Sequence, residues 1–121
     1  MPARLRPASP AEVGDALAAV PREPGQTRLL VKHFLAVLAE RAPGASVEVR
    51  VPPYAAVQAV AGVRHTRGTP PAVVELDADT WIALATGALA WAEAEREGRV
   101  RASGERADLS PLLPLTGSGS P

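Results

Sequence analysis

The chain has 121 residues, no cysteine, and 13 basic against 13 acidic side chains, so its formal net charge is zero. This length fits one domain, and the absence of a basic excess argues against general nucleic-acid binding, which needs cations to neutralise phosphates. A chain without cysteine has no disulfide framework, thiol nucleophile or cysteine-based zinc site, which favours a cytoplasmic location.

The N-terminal third predicts an arm followed by two helices. Residues 1–8 form a flexible arm with two prolines and little periodicity. Ser9 and Glu12 make a capping box for a short helix. Its apolar stripe is Val13, Leu17 and Val20. A longer helix, capped by Thr27 and ending near Arg41, carries apolar residues at helical spacing. These are Leu30, Val31, Phe34, Leu35 and Leu38.

The middle of the chain changes from helical to alternating periodicity, which predicts strands. Residues 46–51 place three valines on one side and Glu48 and Arg50 on the other, as in a half-buried antiparallel strand. A returning strand over 54–60, a polar loop over 62–71 and a third strand over 72–76 follow.

The C-terminal part predicts two helices, a strand and a last apolar turn. Asp77 or Asp79 caps the first helix, which Gly87 ends, and a second helix covers 90–97. Residues 99–103 alternate as a short strand. The last turn contains Leu109, Leu112 and Leu113. Residues 116–121 form a flexible tail.

This order of elements predicts an α+β domain over residues 9–115. Its core is a mainly antiparallel sheet of four or five strands with helices packed on one face. No run of about 18 apolar residues is present, so we expect no stable insertion into a membrane.

The polar loop over 62–71 and the two histidines are the residues most suited to chemistry. Arg64, His65 and Arg67 together can bind an anion through guanidinium groups and an imidazole, or they can be a solvated hairpin loop. His33 has Val37 rather than a second ligand at i+4, so no metal site is predicted. No catalytic constellation and no cofactor site are evident, and the carboxylates at Asp77 and Asp79 are typical helix caps.

Two tryptophans stand ten residues apart on consecutive predicted helices. Trp81 and Trp91 either anchor those helices on the sheet or line an apolar cavity between helices and sheet, since an indole suits the boundary between apolar and polar surroundings.

The second half is similar to the closing segment of the sterol carrier protein family. The similarity lies in Trp81–Leu89, which contains a G-x-L step, in Trp91 and Ala94, and in Gly98–Gly104, which reads G-x-V-x-x-S-G. The loop Arg64–Pro71 with Val73-Val74-Glu75 resembles the small bacterial, actinobacterial-type branch of sterol carrier-like proteins. The resemblance covers about residues 27–115, and it implies an α+β fold enclosing an apolar tunnel for a lipid-like ligand.

We therefore expect a non-catalytic binding protein for an apolar or fatty-acyl-like molecule. Its predicted cavity lies between sheet and helices, where small Ala and Val side chains leave volume for a ligand. The predicted lining is Phe34, Leu38, Val49, Val57, Trp81, Leu84 and Trp91, with Arg64, His65 and Arg67 meeting an acidic headgroup at the mouth. The alternative is a ligand-free interaction module that forms a homodimer or pairs with an enzyme through its sheet. An enzyme using His65 is the weakest hypothesis.

Overall fold

The computed structural model describes residues 4–62, 71–104 and 107–116. In these ranges the chain forms α1 (Pro10–Ala18), α2 (Pro24–Arg41), β1 (Val47–Val51), β2 (Ala55–Ala59), β3 (Ala72–Leu76), α3 (Ala78–Thr86), α4 (Trp91–Arg96), β4 (Val100–Ser103) and a 3-10 turn (Ser110–Leu112). The predicted α+β class is confirmed, and every predicted helix and strand is present within a few residues of its expected bounds.

The four strands make one mixed sheet in the order β2-β1-β3-β4. The β1–β2 and β3–β4 pairs are antiparallel, but the central pair β1–β3 is parallel. The sheet predicted as mainly antiparallel is therefore mixed, because β3 adds to the free edge of β1 on the opposite side from β2. Alternation along a strand reports which face is buried, and it does not report which strand lies alongside.

One face of the sheet is buried under the helices and the other is polar. Val47, Val49, Val51, Val74 and Leu76 point towards the helices and are at most 4% exposed. Glu48 and Arg50 project from the opposite face, where they form a salt bridge of 3.2 Å. The prediction of helices on a single face agrees with this alternation of buried and exposed strand residues.

Local signals explain the helix ends. The Ser9 hydroxyl accepts a hydrogen bond from Glu12 N and begins α1 as predicted, but Val20 lies beyond the helix and is 92% exposed.

α2 begins at Pro24, one turn earlier than the Thr27 cap that the sequence suggested, because Pro24 fits the first helical position and the Gln26 side chain accepts from Glu23 N. Asp77 caps α3 by accepting from Thr80 N at 2.8 Å, and Gly87 ends it with φ of 86°.

Candidate functional site

A groove of about 830 Å³ lies between the C-terminal half of α2, strand β2 and residues 4 and 5 of the N-terminal arm. We call it the α2–β2 groove. Its apolar lining is Leu5, Ala36, Ala39, Pro43, Ala56 and Val57. Its polar lining is Arg4, Glu40 and Gln58, with Gly44 at the turn. Ligand pockets in proteins measure roughly 300–1,000 Å³, so this groove is large enough for a small molecule.

Small side chains keep the groove open. Ala36 and Ala39 are one turn apart on α2 and therefore share a face of that helix. Strand β2 is an edge strand of the sheet, and no strand of the described residues pairs with its outer side. Where larger residues would pack helix against strand, methyl groups here leave space between them.

The N-terminal arm forms one wall of the groove and is held in place by two contacts. Ala8 N donates a 2.9 Å hydrogen bond to Nδ1 of His33, and the Leu5 side chain packs against the core. Because Nδ1 accepts this N–H, it carries no proton of its own. His33 is therefore neutral here, with its proton on Nε2. Burial lowers the pKa of His33, while the carboxylate of Glu40 acts in the opposite direction.

A tight corner closes one end of the groove. The Ser46 hydroxyl donates to the Val60 carbonyl at 2.7 Å, and Val60 has a φ of 70°, which is rare for a β-branched residue. Gly44 has a φ of 148°, and a methyl group on it would collide with that same carbonyl. The corner therefore requires glycine at 44, and its close approach sets where the turn after α2 meets the end of β2.

Six of the seven apolar residues predicted to line a cavity lie together in the packed core. Phe34, Leu38, Val49, Trp81, Leu84 and Trp91 are each at most 6% exposed. Val57 is the seventh, and it is half-buried and lines the α2–β2 groove. A ligand cavity among the six stays a prediction.

The residues predicted to meet an acidic headgroup, Arg64, His65 and Arg67, lie outside the described residues. The strands that flank this loop are described, and they place its two ends near Ser46. Ser46 N donates to Val60 O at 3.0 Å, and Ala72 N donates to Ser46 O at the same distance.

Sequence reasoning missed most of the groove. Leu5 lies in the predicted flexible arm, and Ala36 and Ala39 have side chains too small to mark a face by periodicity. The one available signal was Leu5 itself, a large apolar residue between Arg4 and Arg6 that has to pack somewhere.

The two tryptophans differ in their hydrogen bonding. Trp81 Nε1 donates to the Val31 carbonyl of α2 at 3.3 Å, which ties α3 to α2. Trp91 Nε1 is buried and has no hydrogen-bond partner in the part of the chain that the structure describes.

A second, polar cleft of about 390 Å³ lies at the junction of β3, α3 and β4. Asp77, Arg99 and Arg101 are among its lining residues. Hydrogen bonds from Thr80 lower the pKa of Asp77, and Arg99 adds to this effect. That carboxylate caps α3, so the predicted role of Asp77 as a helix cap is confirmed.

Over residues 4–62, 71–104 and 107–116, no three His, Asp or Glu side chains gather into a group that could hold a metal ion. In the same ranges, no helix has both the length and the apolar character needed to cross a bilayer.

Comparison with known proteins gives one positive finding. A family model described as bacterial SCP ortholog matches residues 23–115, a range that contains every element from α2 to the 3-10 turn. No curated protein matches the chain. The matched range agrees with the closing pattern over Trp81–Gly104 and with the α+β fold. The chain belongs to the bacterial sterol carrier protein-like family.

Proposed function

We propose that the protein is a non-catalytic, cytoplasmic carrier that holds a lipid-like molecule with its acyl chain in the α2–β2 groove. The observation that carries this proposal is the groove itself, because it combines sufficient volume with apolar walls at the surface of a sterol carrier-like chain. Each methylene group removed from water there contributes about 0.8 kcal/mol. Affinity should therefore rise with acyl chain length until the groove is full.

The charged residues of the groove favour an amphipathic ligand over a hydrocarbon. Arg4 and Glu40 are both exposed and both line the groove, whereas Ala36 on its floor is 2% exposed. A guanidinium group suits a carboxylate, with which it forms charge-assisted hydrogen bonds. A fatty acid thus fits the groove with its chain on the alanines and its carboxylate near Arg4.

The ligand-free interaction module is the second hypothesis, and the surface favours it less. A stable apolar interface needs an exposed patch of large apolar side chains. Among the described residues the one large hydrophobic side chain that is strongly exposed is Val20, outside the sheet. The uncovered sheet face instead carries Glu48, Arg50, Glu75 and Arg101 in alternating charge.

The test is to fill the groove without touching the core. Ala39→Trp places an indole in the groove, and Ala92→Trp places the same side chain on the exposed surface of α4 as a matched control. We expect palmitic acid, measured by calorimetry, to bind Ala39→Trp at least about tenfold more weakly than wild type, a loss of about 1.4 kcal/mol. Ala92→Trp should bind as wild type does.

If Ala39→Trp does not fold, Ala56→Trp blocks the groove from the exposed edge strand instead. Equal affinity in wild type and a folded groove variant would contradict the proposal. Failure of wild type to bind saturated fatty acids of any length would contradict it as well.

A further inference from the structure

The N-terminal arm has the features of a removable wall. Residues 4–9 have no regular secondary structure, and their hydrogen bond to α2 is made by one side chain, His33. Arg4 and Leu5 line the α2–β2 groove, so displacement of the arm would remove one side of it. The arm ends at Ser9, where the capping box of α1 fixes the chain and provides a natural pivot.

The hydrogen bond between Ala8 and His33 depends on the protonation state of the imidazole. Nδ1 accepts the Ala8 N–H only while the imidazole is neutral, since protonated histidine donates from both nitrogens. Protonation would therefore place the Ala8 N–H against the Nδ1–H of His33, with the two nitrogen atoms 2.9 Å apart. The T-shaped contact of the ring with Phe34, at 4.9 Å between centroids, restricts the ring's freedom to turn away.

We propose that residues 4–8 form a pH-controlled wall of the α2–β2 groove, held closed by neutral His33 and released when His33 is protonated. The consequence for a ligand rests on the function proposed above: mild acid opens the groove and weakens binding. The release of the arm itself is independent of any ligand.

The charges around His33 influence the pH at which the arm is released. The charged residues on the elements that meet there are Arg28, Lys32, Glu40 and Arg41 on α2, Arg4 and Arg6 on the arm, and Glu12 and Asp15 on α1. Burial lowers the pKa of His33 more than Glu40 raises it, so His33 takes up a proton less readily in this closed state than a free histidine does. The arm is thus fully closed above pH 6.5, the ordinary pKa of histidine, and this closure is lost as the pH falls below that value.

Nuclear magnetic resonance tests the release directly in the full chain. In wild type, the Ala8 amide should lose its hydrogen-bonded shift, and the imidazole nitrogens should change from the Nε2–H tautomer to the protonated form, with one midpoint below pH 6.5. His33→Asn keeps an acceptor near the position of Nδ1 without titrating, so its Ala8 amide should stay constant from pH 7.5 to pH 5. His33→Ala should show the open shift throughout.

The ligand is tested separately with a fatty alcohol, which does not titrate in this range. Wild-type affinity should fall at least about fivefold between pH 7.5 and pH 5, and His33→Asn affinity should not change. An Ala8 amide that titrates equally in wild type and His33→Asn would overturn the inference. Titration of Ala8 without binding of the alcohol or of fatty acids at any pH would leave the arm's release standing and refute the proposed function.

Discussion

The core and the α2–β2 groove both contain small apolar residues, but large side chains fill the core, whereas the groove is open. In the core, Val49 and Val74 of the sheet meet Phe34, Leu84 and Trp81 from the helices, and each of these is at most 1% exposed. The groove is lined instead by Ala39 of α2 and by Ala56 and Val57 of an edge strand, with no aromatic side chain among its described lining residues. The difference lies in where the few large side chains project.

This contrast shows how a chain with few aromatic residues can have both a filled core and an open groove. With 3% aromatic residues, the chain has little bulk with which to close space between its layers. Trp81 and Phe34 are both used between the sheet and the helices, so the space that small residues leave appears beside α2 instead. Truncation should therefore cost more stability at a core residue than at a groove residue, whereas enlargement should be tolerated better in the groove.

The largest expected effect is on stability, from truncation in the core. Phe34→Ala should lower the free energy of unfolding by about 3–5 kcal/mol, because it removes a fully buried ring and leaves a cavity. Urea denaturation followed by far-ultraviolet circular dichroism measures it. Leu5→Ala, a truncation at the half-buried groove wall, is the control and should cost clearly less. Equal losses would mean that the arm is as firmly packed as the core.

A smaller effect separates the two tryptophans. Trp81→Phe loses a buried hydrogen bond to the Val31 carbonyl, whereas Trp91→Phe removes a donor that has no partner among the described residues. We expect Trp81→Phe to be less stable than Trp91→Phe by about 1–2 kcal/mol in the same denaturation experiment. If Trp91→Phe proves the more damaging of the two, its indole N–H has an acceptor, such as an ordered water, that stabilises the fold.

Sequence reasoning reached the fold because the fold is recorded in strong local signals. The Ser9 and Asp77 caps, the alternation over Val47–Val51 and the glycine at 87 each act within a few residues, and each was confirmed. The parallel pairing of β1 with β3 was missed because it depends on where the chain crosses after β2, which no residue pattern within the strands encodes.

The groove was less predictable for a related reason. The seven apolar residues predicted to line a cavity are large or inward-facing, and such residues are the ones that fill a core. An open site is lined by what is too small to close it, such as Ala39, and by chain segments distant in sequence, such as Leu5. Both features become visible only when α2, β2 and the arm are assembled.

The most direct test of the central claim is to locate a bound acyl chain by magnetic resonance. With carbon-13-labelled palmitic acid on the full chain, nuclear Overhauser contacts are predicted to the methyl groups of Ala39, Ala56 and Val57, which line the groove. None is predicted to the methyl groups of Leu38, Val49 and Leu84, which are buried in the core. Contacts to the core methyls without contacts to the groove would contradict the account and establish the cavity between sheet and helices as the binding site.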